Sequence, residues 1–290
     1  MVLFVSSKDV IGPFQLLRQI RSGVTAQIWE VRHKGDKDRS AIKVLKFKER
    51  KNREEIEALK QEGVVGKSLK HPNVIEIYDF HGDLDQPLLH MELFPGKNLK
   101  QLLQANHDAV KKHIDKIVRQ CCESLVHLHS HQWIHCDLKP YNFLINEKVL
   151  VKLIDFSIAK PFKQGFKLFG SKKIQGTRSY MAPEQIRGKK VDVRTDIYGL
   201  GCVMHELVAG RPPFTGANSD QLLQKHLKSP PPSLQAADKR VRKEYAELVT
   251  RMLAKEPEKR PQSMDEVLKA VSKSKVFRAT VKPKTDQPPE

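Results

Sequence analysis

The chain has 290 residues, 39% of them hydrophobic and 30% charged, enough to bury one large core or two modest ones joined by a hinge; this excludes disordered and fibrous classes. No apolar run approaches the roughly 18 residues that cross a bilayer, and Met1 to Val5 is too short for the apolar core of a secretory signal, so a cytoplasmic protein is expected. Lysine and arginine outnumber acids by 52 to 34, a formal charge of +18 that favours acidic partners, but no stacking aromatics interleave the charges and no nucleic-acid partner is expected.

Phe14 to Ile20 reads as a strand, followed by Ile20-Arg21-Ser22-Gly23-Val24-Thr25-Ala26-Gln27-Ile28-Trp29, a second strand through Glu30 to His33, a turn at Gly35-Asp36 and a third strand from Ser40 to Leu45. Alternation puts Ala41 and Lys43 on one face of the third strand and Ile42 on the other. A helix is expected over about Lys51 to Lys67, although Gly63 and Gly66 each cost it roughly 1 kcal/mol relative to alanine. Val74 to His81 and Leu88 to Glu92 read as two more strands, giving a five-stranded sheet. Pro95-Gly96 then breaks the chain.

Helical patterns follow over Asn98 to Ala105 and His113 to Ser130, the second with Ile114, Ile117, Val118, Cys121, Leu125 and Leu128 on one face. His127 and His131 stand four apart there and read as surface or helix-end residues rather than zinc ligands. Cys121, Cys122, Cys136 and Cys202 show no C-x-x-C spacing and read as buried thiols in a reducing compartment.

His135-Cys136-Asp137-Leu138-Lys139-Pro140-Tyr141-Asn142 puts a carboxylate, a cation and an amide at fixed spacing in a segment where Pro140 forbids a helix. That set suits phosphoryl transfer: the acid orients a hydroxyl, the ammonium neutralises phosphate and the amide oxygen holds a metal. Val151 to Ile154 is an apolar-rich strand ending in Asp155-Phe156-Ser157. Further on stand Gly176-Thr177-Arg178-Ser179-Tyr180-Met181-Ala182-Pro183-Glu184, an apolar helix from about Asp192 to Val208 stopped by Gly210, and helical patterns near Tyr245 to Ala254 and Ser263 to Ser272.

In their order these strings resemble the protein kinase family: H-R-D-L-K-P-x-N with Cys136 for arginine, D-F-G with Ser157 for glycine, G-T-x-x-Y-M-A-P-E, and V-A-I-K at Ser40-Ala41-Ile42-Lys43. The compact length and the segment from Gly176 to Gly188 are similar to bacterial eukaryotic-like Ser/Thr kinases. The resemblance implies an α+β, two-lobed fold: a leader over 1–13, a kinase domain over 14–272 with its N-lobe at 14–92, hinge at 93–97 and C-lobe at 98–272, and a basic, Pro-rich, disordered tail over 273–290 that could touch an anionic surface weakly.

It also implies a Mg-ATP-dependent protein serine/threonine kinase with the following site. Asp137, Lys139, Asn142 and Thr177 form the catalytic set, and Asn142 and Asp155 bind Mg²⁺. Ile20, Gly23, Ile28, Ala41, Lys43, Met91, Glu92, Phe94 and Leu144 surround ATP, with Met91 guarding the back of the pocket and Glu92 and Phe94 bonding the adenine edge through their backbones. Glu54, Glu55, Glu57 and Glu62 compete as partner of Lys43, and family spacing to His71-Pro72-Asn73 selects Glu62. Asp196 would tether the catalytic loop and Arg260 would pair with Glu184.

The departures from pattern are Arg21 and Ala26 in the glycine loop, Gly66 where the family places a bulky spine residue, Cys136 and Ser157. Together they define the alternative, a nucleotide-binding pseudokinase acting as scaffold or regulator. Gly66 suggests a loosely held helix that swings to break the Lys43 to Glu62 pair. Ser157 suggests a restricted flip of its segment. Cys136 lacks the charge that would bind a phosphorylated activation segment, so weak dependence on phosphorylation of Ser171, Thr177 or Ser179 is expected. From Lys160 to Lys190 nine basic residues face one acid, suggesting protein substrates with acidic Ser/Thr sites.

Overall fold

The computed structural model describes residues 10–35, 38–162 and 176–278. Strands β1 (Val10–Ile11), β2 (Phe14–Ser22), β3 (Ala26–His33), β4 (Arg39–Leu45), β5 (Ile77–His81) and β6 (Leu88–Met91) form one antiparallel sheet in the order β1-β2-β3-β4-β6-β5. The expected five strands are therefore six, because Val10 and Ile11 fold back onto Gln15 and Phe14 through a turn in which Gly12 takes φ +53°. That places the end of the expected leader inside the sheet.

Alternation divides the small lobe into two apolar layers. Ile42 and Val44 join Phe14, Val31 and Leu88 on the outer face. Ala41 and Leu45 face inward with Leu59 and Val65 of helix α1 (Arg53–Lys67). Asn52 caps α1, its side chain accepting from the Glu54 amide.

The two glycines of α1 let it approach the sheet closely. A Cβ on Gly66 would lie 2.2 Å from Ile77 Cδ1, and one on Gly63 would lie 3.0 Å from Phe80 Cβ. Ile77 thus fills the space that a larger residue at 66 would claim. In this structure the glycines trade helix propensity for contact with β5, and α1 sits with Glu62 against Lys43.

Beyond β6, the larger lobe contains β7 (Lys97–Asn98), α2 (Leu99–Ala105), α3 (His107–Lys112), α4 (Ile114–Ser130), β8 (Trp133–Ile134), β9 (Phe143–Ile145), β10 (Val151–Leu153), β11 (Lys160–Pro161), α5 (Pro183–Ile186), α6 (Val193–Ala209), α7 (Ser219–Lys228), α8 (Leu234–Ala237), α9 (Lys243–Met252) and α10 (Met264–Lys273). The lobe is built round α6, which is buried continuously from Thr195 to Val208 and ends at Gly210 in the left-handed conformation, φ +73°. β9 pairs with both β7 and β10, and β11 with β8.

The residues after α10 are packed, contrary to a tail that leaves the fold at 273. Val276 is buried, its amide donates to Asp115 Oδ1 at 2.7 Å, and Phe277 bridges Val241. The remaining tail, 279–290, lies outside the described residues.

Close packing at Gly66 predicts that Gly66→Leu lowers unfolding free energy by about 1–3 kcal/mol through overpacking, and that adding Ile77→Ala restores part of the loss. Urea unfolding of the two single variants and the double variant checks this through non-additivity.

Candidate active site

The catalytic loop hangs from one carboxylate at the start of α6. Asp196 Oδ2 accepts from the His135 amide at 2.8 Å and sits 2.9 Å from His129 Nε2, while Oδ1 accepts from the Cys136 amide at 2.9 Å. Cys136 holds φ +67°, a left-handed conformation costing a side-chain-bearing residue roughly 1–2 kcal/mol, and the two amide bonds flanking it hold it there. Its thiol is buried and aimed at the Ile134 carbonyl, and burial pushes its pKa far up, so it stays neutral.

The loop then closes on itself. His135 Nδ1 accepts from the Asp137 amide, leaving Nε2–H to donate to the Ile154 carbonyl at 3.1 Å. Asn142 Nδ2 donates to the Asp137 carbonyl at 2.9 Å, and the Asn142 carbonyl accepts from the Ile154 amide at 3.0 Å. These bonds fix Asp137 and Asn142 against the strand leading to Asp155.

Both oxygens of Asp137 are engaged. Oδ2 accepts from Lys139 Nζ, and Oδ1 accepts from the Thr177 amide at 2.9 Å. Lys139 also donates to Thr177 Oγ1 at 2.9 Å, so the three residues form a closed polar triangle.

A second charge cluster joins the lobes. Lys43 Nζ lies 2.5 Å from Glu62 Oε2 and 3.4 Å from Asp155 Oδ1. Burial alone would lower the Lys43 pKa, but the Asp155 and Glu62 carboxylates hold it above its ordinary value as an ammonium ion. Burial pushes Asp155 up, yet Lys43 and the Ser157 hydroxyl, donating at 2.8 Å, hold it well below the usual carboxylate range. Burial raises Glu62, and Lys43 opposes that. Of the four glutamates competing for Lys43, Glu62 makes the contact.

The left-handed residue in the Asp155-Phe156-Ser157 segment is Asp155, φ +70°, and Ser157 is not among the residues with positive φ. Ser157 thus acts through its hydroxyl on Asp155 instead of through its backbone. Phe156 is fully buried, its ring 5.6 Å from that of His135.

Across the cleft, Gly23 and Ala26 close the β2–β3 hairpin through a 2.8 Å backbone bond, with Ile20 and Val24 exposed. Ile28 and Leu144 are half-buried and Ala41 is buried. Met91 pairs with Ala41 in the sheet. The loop bonds of the hinge are Glu92 N to Glu76 O and Gly96 N to Phe94 O, which use neither the Glu92 carbonyl nor the Phe94 amide.

Several functional contacts escaped the sequence reading. Glu206, buried in α6, accepts from Lys100 Nζ at 2.5 Å and Tyr180 Oη at 2.6 Å, tying α2 to the end of the activation segment. Lys152 of β10 pairs with the side chain of Glu92. Glu184 takes a bidentate pair from the fully buried Arg260 at 2.8 and 2.9 Å, as expected, plus the Thr195 hydroxyl at 2.7 Å. Ser171, Lys163, Lys167, Lys172 and Lys173 lie outside the described residues.

A metal would find one carboxylate at Asp155 and one amide oxygen at Asn142, whose nitrogen is already spent on the loop. Hard oxygen donors in this small number fit Mg²⁺, which keeps waters and completes its shell with phosphate oxygens. Among the described residues no group of three or more His, Cys, Asp or Glu side chains forms an all-protein metal site.

A small lobe with a Lys–Glu pair, a larger helical lobe with an Asp-Lys-Thr triangle, and an Asp between them define a kinase-type phosphotransferase fold. Residues 14–271 match the family described as protein kinase domain. The chain is 32% identical over 250 residues to serine/threonine-protein kinase PrkC of Bacillus subtilis, covering 86% of this chain and 38% of that protein. It is 33% identical over 208 residues to PknB of Mycolicibacterium smegmatis, covering 69% of this chain and 33% of that one. With PknH of Mycobacterium bovis it shares 31% over 253 residues, 87% of this chain and 42% of the relative. The chain belongs to the protein kinase domain family, and it spans about two fifths or less of the length of these relatives.

Glu184→Gln leaves the buried guanidinium of Arg260 without its counter-charge and is expected to cost about 3–5 kcal/mol. Arg260→Lys should not substitute, because an ammonium cannot reproduce the bidentate contact. Chemical unfolding of each variant measures both effects.

Proposed function

We propose that the domain is a Mg-ATP-dependent protein serine/threonine kinase that transfers the γ-phosphate to protein Ser and Thr hydroxyls. The observation that carries this reading is the pair of assembled clusters, Lys43–Glu62–Asp155 and Asp137–Lys139–Thr177, held to one another by the bonds among Asn142, Ile154 and His135.

In this reading Mg²⁺ bound with ATP neutralises phosphate charge and is held by Asp155 and the Asn142 amide oxygen. Lys43 aligns the α and β phosphates, its ammonium positioned by Glu62. Ile20, Gly23, Ile28, Ala41, Met91 and Leu144 enclose the nucleotide, and the Glu92 carbonyl and Phe94 amide bond its adenine edge. Asp137 accepts a hydrogen bond from the substrate hydroxyl and takes its proton; each carboxylate oxygen has a second lone pair for this beside its present bond. Lys139 steadies the γ-phosphate, and Thr177, bonded to both, favours an aliphatic hydroxyl as acceptor.

Lys160, Arg178, Arg187, Lys189 and Lys190 support substrates with acidic flanks. Four buried free cysteines support a reducing, cytoplasmic setting. Among the described residues no helix is long and apolar enough to cross a membrane.

The departures at Arg21, Ala26, Gly66, Cys136 and Ser157 favour the alternative, a pseudokinase. Incubation with labelled ATP, Mg²⁺ and an acidic generic substrate separates the two. Wild type should transfer label, EDTA should abolish transfer, and Asp137→Asn should reduce it by about 10²–10⁴-fold. Nucleotide binding by a folded wild type without transfer would establish the pseudokinase.

A further inference from the structure

A lysine lies in the middle of β10, in the otherwise apolar run Val151-Lys152-Leu153-Ile154, and its side chain is only 10% exposed. A buried ammonium needs acceptors round it. Lys152 has three kinds: the Glu92 carboxylate, the Val74 carbonyl at 3.2 Å, and the face of the Phe94 ring, 5.9 Å from Nζ to its centroid. Two of the three belong to the segment between the lobes.

Glu92 is equally committed. Its Oε1, besides pairing with Lys152, accepts from the Glu76 amide at 2.8 Å, and its own amide donates to the Glu76 carbonyl at 2.9 Å. The strand holding Lys152 is tied to the same region from its backbone. Asn73 Nδ2 donates to the Val151 carbonyl at 2.9 Å, the Asn73 carbonyl accepts from the Leu153 amide at 2.8 Å, and the Leu153 carbonyl accepts from the Ile75 amide at 3.0 Å. Segment 73–76, the start of the hinge and β10 are therefore one hydrogen-bonded unit, with the Lys152 ammonium at the junction with Glu92 and Phe94.

We propose that Lys152 is a positioning residue for the nucleotide, a buried cation that locks segment 92–94 to the strand leading into Asp155 and so fixes the separation between the two ends of the site. The proposal rests on the reading of the cleft as an ATP site. Asp155 follows Lys152 by three residues, while Glu92 and Phe94 offer the backbone groups assigned to the adenine edge. A ligand held at both ends tolerates little change in their spacing, and an ångström of misplacement can cost on the order of 10²-fold. The lock achieves this through side chains, without touching the ligand.

The test compares Lys152→Met, Lys152→Arg, Glu92→Gln and the double variant Lys152→Met/Glu92→Gln with wild type, in the full chain. Two readouts are needed: kcat and KM for MgATP, and amide hydrogen exchange across 92–96, 151–155 and α6. The lock predicts that Lys152→Met and Glu92→Gln each raise KM for MgATP about tenfold with a smaller change in kcat. The double variant should be no worse than the poorer single one, and Lys152→Arg should recover most of the loss. Exchange at 92–96 should accelerate while α6 stays protected. Unchanged KM, or acceleration spread evenly over all segments, would overturn it and leave Lys152 a plain stabiliser. If wild type neither binds nor turns over MgATP, the ATP-site reading fails on its own, and the exchange comparison still decides whether the lock exists.

Discussion

One carboxylate, Asp196, supports the whole catalytic loop. It turns the amides of His135 and Cys136 inward at 2.8 and 2.9 Å, and the left-handed backbone at Cys136 follows from that demand. Once the turn is made, Asp137 has one orientation, and Lys139, Asn142 and Thr177 bond to it or to each other. Asp196 can act as anchor because it belongs to α6, which is buried along its length and cannot yield. Charge buried at a rigid site costs desolvation, and three N–H groups offset that cost here.

From this anchor the chemistry spreads in two directions. Toward the small lobe, Ile154 and Asn142 carry the order to Asp155, which meets Lys43 and through it Glu62. Toward the substrate side, Thr177 leads to Tyr180, Glu206 and Lys100, and to Glu184 with Arg260. The neutral, buried Cys136 stands where these paths meet, so the loop is ordered by hydrogen bonds of its own backbone and not by an arginine awaiting a phosphate. The thiol brings no charge to that point, whereas charged side chains link segments of the cleft at Lys43–Glu62 and at Lys152–Glu92.

Much of this was legible in the sequence, because residues that meet reacting groups must have a fixed type at a fixed spacing. The residues proposed for those roles, Asp137, Lys139, Asn142, Asp155 and Lys43, stand at such spacings, while the buried pair of Glu184 with Arg260 was legible only through the order of the family strings. Residues whose type depends on three-dimensional neighbours were not legible. Gly66 reads as a weak helix until Ile77 is seen filling its place. Lys152 reads as an ordinary lysine until the Glu92 side chain is found beside it; its one signal was a charge within an apolar strand. Glu206 and Lys100 lie 106 residues apart and carry no local pattern at all. The packed residues just outside the domain, Val10 and Ile11 before it and Val276 and Phe277 after it, were missed for a related reason: two adjacent apolar residues carry no period, and only sheet pairing and the Val241 contact explain them.

The claim that Asp196 organises the site is tested most directly by amide hydrogen exchange at His135 and Cys136 in Asp196→Asn, read together with phosphotransfer by the same sample. An asparagine keeps one acceptor oxygen and loses the charge, so both amides should exchange at least tenfold faster and transfer should fall in parallel, with α9 and α10 unaffected. Wild-type protection at both amides, or full transfer despite their loss of protection, would contradict it.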